Sequence, residues 1–62
     1  MNVEKLQRLM DSMDVKQTQL AEIAGVSQAF MSNMLKGYKT PSVAVLKRIS
    51  DYFHISIDDL VG

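Results

Sequence analysis

Apolar residues recur along this chain at helical spacing, in short sets separated by glycine or polar breaks. Val3, Leu6, Met10 and Met13 trace one face, broadened by Leu9, and predict a first helix over Val3–Met13. Asn2 is its candidate cap, Asp11, Ser12 and Asp14 mark its end, and Val15 turns back to the core. Leu20, Ile23 and Ala24 repeat the spacing over Gln17–Ala24. Gly25-Val26-Ser27 then interrupts it, and Met31 and Met34 resume it over Gln28–Lys36. Gly25 can take the positive φ of a sharp helix exit, and Ser27 can cap the next helix through its hydroxyl. Ala21 suits a close approach of two crossing helices. A helix, a glycine turn and a second helix at this spacing make a helix-turn-helix unit.

Gly37 suits the end of the third helix, and Tyr38-Lys39-Thr40 reads as a loop. Pro41 fits the first turn of a fourth helix, capped by Thr40 or, one register later, by Ser42. Val43, Leu46, Ile49 and Phe53 form its predicted buried stripe, with Lys47, Arg48 and Asp51 outward. Ser56-Ile57-Asp58-Asp59 opens a short fifth helix with acidic residues at its positive end, and Leu60 closes the core. Ile55-Ser56-Ile57 alternates, but three residues do not make a sheet. The predicted fold class is all-α, a compact five-helix bundle forming a single domain over residues 1–62.

Composition narrows the chemistry. The 62 residues include no cysteine and one histidine, so neither a disulfide framework nor a cysteine zinc site can form. No clustered carboxylates suggest a metal, a cofactor or a small-molecule ligand, and no convergent polar set suggests an enzyme. No apolar run approaches the ~18 residues of a membrane span, and no signal-peptide pattern opens the chain. A cytoplasmic location is expected. The net charge is zero, yet its distribution is polarised. From Ile23 to Ser50 there is no Asp or Glu, while Lys36, Lys39, Lys47 and Arg48 lie there. The positive part of the chain therefore lies on and just after the second motif helix, where a phosphate footprint would be needed.

Gln17, Leu20-Ala21, Ala24-Gly25-Val26-Ser27, Met31, Met34 and Gly37 resemble the helix-turn-helix of the Cro/phage-repressor (Xre-like) family of DNA-binding domains. Thr40-Pro41-Ser42 and His54-Ile55-Ser56-Ile57-Asp58-Asp59-Leu60 extend that resemblance over almost the whole chain. It implies a lambda-repressor-like bundle and a double-stranded DNA partner. The chain also departs from the family pattern. Asp14 and His54 stand where the family commonly has glycine; both can adopt left-handed backbone, at some cost. Lys16 stands where an Asn or Ser cap is usual, and loss of the cap costs about 1 kcal/mol. An Arg in the first helix often pairs with a Glu near the end of the third; the matching residues are Met10 and Leu35. Replacing both partners of an ion pair can be neutral or stabilising, which suggests that the two side chains meet.

With Met31 and Met34 inside, the outward positions of the third helix are Gln28, Ala29, Ser32 and Asn33. Gln28 and Asn33 can pair with adenine, and Ala29 can lie against a thymine methyl. Amide-rich reading positions favour A·T-containing half-sites. By resemblance, Gln17 anchors a phosphate at the start of the second helix. Lys36, Tyr38, Lys39 and Thr40 track the DNA backbone after the third, and Ser27 or Ser32 can bond a phosphate or a base edge. Phe30 is expected to pack rather than to touch DNA, and the five methionines to fill core gaps. The function implied is a sequence-specific transcriptional regulator, acting as a repressor by occupying an operator. It would bind as a homodimer with half-sites about one helical turn apart. Phe53, Ile57, Leu60 and Val61 are the dimer candidates by resemblance, with Tyr52 near them. The alternative is an antitoxin-like interaction module on the same fold, which would need a further partner-binding segment.

Overall fold

The computed structural model describes residues 1–62. Five α-helices succeed one another: α1 (Val3–Ser12), α2 (Gln17–Ala24), α3 (Gln28–Leu35), α4 (Val43–Phe53) and α5 (Ile57–Val61). No strand forms, and no helix is long and apolar enough to cross a membrane. α2 is central: it packs against both α3 and α4, and α4 carries α5. Every helix contributes to one core in which Leu6, Leu20, Met31, Met34, Ile49 and Leu60 are fully buried. Burying a side chain of this size contributes about 1.5–3 kcal/mol. Few such residues exist in so short a chain, so each one matters.

Four helices end in the same way. Asp14 (φ 55), Gly25 (φ 73), Gly37 (φ 85) and His54 (φ 57) adopt left-handed backbone. The next residue's N–H then reaches back to a carbonyl five residues earlier: Val15 to Met10, Val26 to Ala21, Tyr38 to Asn33 and Ile55 to Ser50, at 2.8–3.0 Å. A second bond, such as Gly25 N–H to the Glu22 carbonyl, completes a Schellman motif each time. The starts are equally local. The side chains of Asn2, Ser27, Ser42 and Ser56 accept from the backbone N–H three residues on. Only α2 lacks a side-chain cap at its own start; instead the Gln19 side-chain Oε1 accepts the Lys16 N–H at 2.9 Å. Lysine has no acceptor to return the bond, so this is half of a capping box. A backbone bond from Asn2 N–H to the Leu60 carbonyl (2.9 Å) ties the start of α1 to α5.

The structure corrects several expectations. α1 ends at Ser12 rather than Met13, and Met13 is exposed instead of packed. Its apolar register is right, but it sits where the chain has already begun to turn. α3 ends at Leu35, with Lys36 as the residue after it. The fourth helix takes the Ser42 cap and not the Thr40 cap. Val43 is 73% exposed, although the stripe placed it inside. Pro41 is buried and brings the chain in, leaving Val43 on the first turn beyond the packed surface. Ser50 instead joins the buried face, its hydroxyl donating to the Lys47 carbonyl at 2.9 Å. Met10 is buried, and Leu35 is half-buried against the cluster that includes it. Phe53 and Leu60 are 5% and 0% exposed, filling the core of one copy, and so leave the set of dimer contacts.

The left-handed positions predict opposite signs for two substitutions. Gly25→Ala should lower stability by about 1–2 kcal/mol, because an L-residue there meets backbone strain. His54→Gly relieves that strain and should raise stability by up to about 1 kcal/mol, less the entropy that glycine costs. Urea unfolding of both variants checks this; equal signs would contradict it.

Candidate nucleic-acid interface

The rotation of α3 about its axis is set from inside. Met31 and Met34 are 0% and 1% exposed, and Phe30 lies half-buried against the same core. Three residues apart on a helix, the two methionines share one face, and fixing that face fixes the opposite one. Gln28 and Ala29 are exposed on the first turn, while Ser32 and Asn33 are half-buried, recessed one turn further along. Ser27 Oγ accepts the Phe30 N–H at 3.0 Å, which holds the start of the helix and leaves its own O–H free to donate. The residues expected to read bases are thus brought together on one face, two standing proud and two set back.

The residues expected to meet phosphate flank that face. Gln17, the first residue of α2, is exposed, and its side chain makes no hydrogen bond within the chain. The same holds for Gln28, Ser32, Asn33, Lys36, Tyr38, Lys39 and Thr40. Their donors and acceptors are unspent, as a surface that must bond an external partner requires. Lys36 and Lys39 form no ion pair; the single pair in the chain, Lys5–Asp59 at 3.9 Å, joins α1 to α5. The acid-free stretch from Ile23 to Ser50 therefore stays uncompensated around α3.

Tyr38 carries a signal that sequence spacing does not show. In the other three Schellman exits the residue after the left-handed position packs inward: Val15 is buried, and Val26 and Ile55 lie half-buried against the core. A hydrophobic contact at this position is the usual companion of the motif. Tyr38 occupies the equivalent place after α3 and is 75% exposed, between Lys36 and Lys39. An aromatic ring turned away from the core and bracketed by cations suits the edge of a nucleic-acid backbone, with its hydroxyl as donor.

Comparison with known proteins bears on this geometry. The family model for the Cro/C1-type HTH DNA-binding domain matches residues 5–62. The HTH-type transcriptional activator BcrR of Enterococcus faecalis is 40% identical over 59 residues, which are 95% of this chain and 29% of that protein. The chain thus spans less than a third of the length of the curated relative it matches. No solved structure matches at comparable significance.

The two faces of the third helix and its exit should respond differently to truncation. Tyr38→Ala is expected to change stability by less than about 0.5 kcal/mol, whereas Met31→Ala should cost about 2–5 kcal/mol. Thermal melts of both variants decide it, and a large loss for Tyr38→Ala would place its ring in the fold rather than at the interface.

Proposed function

The chain belongs to the Cro/C1-type helix-turn-helix DNA-binding family, and from that premise we propose that it is a sequence-specific regulator whose α3 reads the major groove. The observation that carries this reading is the split of α3 into a buried methionine face and an opposite face, exposed at Gln28 and Ala29 and half-buried at Ser32 and Asn33, whose polar side chains make no hydrogen bond within the chain, inside an acid-free stretch. In this arrangement the N-terminal residues of a recognition helix meet base edges. Gln28 pairs with adenine through its amide, Ala29 lies against a thymine methyl, and Asn33 reads a second adenine one turn on. Ser32, set back between them, bonds a base edge or a phosphate. Gln17, Ser27, Lys36, Tyr38, Lys39 and Thr40 fix the register on the phosphates without reading sequence.

Two copies bind a two-fold site, with half-sites about one helical turn apart. With Phe53 and Leu60 committed to the core, the apolar side chains left for contact near the carboxyl end are Tyr52, Ile57 and Val61. Occupancy of an operator by this domain represses where it blocks the polymerase and activates where it recruits it. The relative that shares 40% identity is named an activator, so a repressor does not follow from the domain alone.

Selection from random duplexes is expected to enrich a short palindrome containing A·T pairs. On the selected site, Gln28→Ala should relax discrimination by about 1–3 kcal/mol at one base position in each half-site, and Lys39→Ala should weaken all duplexes alike and lower the salt slope by about one per bound copy. An equal loss on every sequence for Gln28→Ala would remove it from the reading set.

A further inference from the structure

Arg48 lies on α4, outside the set of residues assigned to the DNA surface. Arg48 is an exposed residue, yet its guanidinium reaches the turn between α2 and α3. Nη1 and Cζ occupy the space that a Cβ on Gly25 would need, so the side chain rests on the turn between α2 and α3. Glycine at position 25 takes the left-handed conformation, and the guanidinium lies where a side chain there would begin. The guanidinium has no partner inside the chain. It forms no ion pair and donates no hydrogen bond, although Glu22 and Asp51 lie nearby in sequence on the two helices that meet there. A group with five donors in a planar fork, lying against the turn and paired with no carboxylate, is prepared for an external anion, and the fork matches phosphate.

Its position says which anion. The turn immediately precedes Ser27 and Gln28, where α3 begins. A helix about 10–12 Å across fills a major groove about 12 Å wide. Whatever adjoins its leading end lies against the groove's rim. α2 has 8 residues, so it spans roughly 12 Å at 1.5 Å per residue, close to the groove width. Gln17 stands at one end of α2 and the Arg48 guanidinium at the other.

We propose that Arg48 is a DNA phosphate anchor, gripping the strand opposite the one held by Gln17, so that the two ends of α2 straddle the groove α3 enters. This rests on the reading of α3 as the groove-reading helix. It adds to that reading a contact from α4.

The test uses the full chain and the duplex obtained by selection. Binding is measured over a salt series for the unaltered protein, Arg48→Met, Arg48→Lys, Gln17→Ala and Lys39→Ala, with a thermal melt of each. Ethylation interference maps the phosphates required by each. Arg48→Met should make the slope of log K against log salt shallower by about one unit per bound copy, about two on the two-fold site. It should weaken selected and unrelated duplexes by the same factor, and Arg48→Lys should restore the slope. Arg48→Met should also lose interference at a phosphate on the strand opposite the one lost in Gln17→Ala. A slope and interference pattern unchanged in Arg48→Met overturn the proposal even if the melting temperature falls, since Arg48 would then only brace the turn. Discrimination lost at a single base position overturns it as well. If Lys39→Ala lowers the slope while Arg48→Met does not, the DNA reading stands and the anchor alone fails. If the unaltered protein shows no salt-dependent duplex binding, the DNA reading falls and the anchor with it.

Discussion

The burial of Met31 and Met34 is the constraint on which the rest of this domain depends. A helix of 8 residues cannot hold itself in water. α3 therefore exists only because its methionine face is packed against α2 and the core. Once that face is committed, the side chains of Gln28, Ala29, Ser32 and Asn33 have no choice of direction. Methionine suits this task, because an unbranched side chain fills the irregular gap between crossing helices. Ala21, buried on α2, belongs to the same packed cluster, and its small side chain permits close approach. The surface proposed for DNA is thus a consequence of packing on the other side of the same helix.

The same economy explains why local signals are so legible in the sequence. Each helix is short, so its ends weigh as much as its middle, and ends are written in single residues. Asn2, Ser27, Ser42 and Ser56 as caps, and Gly25 and Gly37 as exits, can be read from residue type alone. Asp14 and His54 are readable as left-handed positions only through the family resemblance, because neither residue demands that conformation. The half capping box at Gln19 is hidden in the sequence, since Lys16 is a poor cap by residue type and gives no cue to the acceptor three residues later. Where spacing fails, it fails at helix ends. Met13 and Val43 keep the correct periodicity, but periodicity does not say where the neighbouring helix stops. Pro41 settles the matter for Val43 by taking the buried place itself.

The candidate interface is legible in a different measure. The outward face of α3 comes from the inward one, and the phosphate-facing residues from the resemblance and the charge distribution. The exposure of Tyr38 needs the structure, because in three parallel exits the equivalent residue turns in. The meeting of Arg48 with Gly25 also needs it: the two are far apart in sequence, and no periodicity connects them. The dimer assignment of Phe53 and Leu60 fails for a physical reason. Both side chains fill the core of a single copy, Phe53 5% and Leu60 0% exposed, and so present no surface to a second one.

The central claim is that internal packing aims one polar face of α3, together with the residues around it, at duplex DNA. Titration of the isotope-labelled protein with the selected duplex, monitored by amide chemical shifts, tests it most directly. The account predicts that the largest changes fall from Gly25 to Asn33, from Lys36 to Thr40 and at the start of α2, while α5 stays near its free position. Changes centred on α5 and the carboxyl end of α4, with Gln28 to Asn33 unmoved, would contradict it.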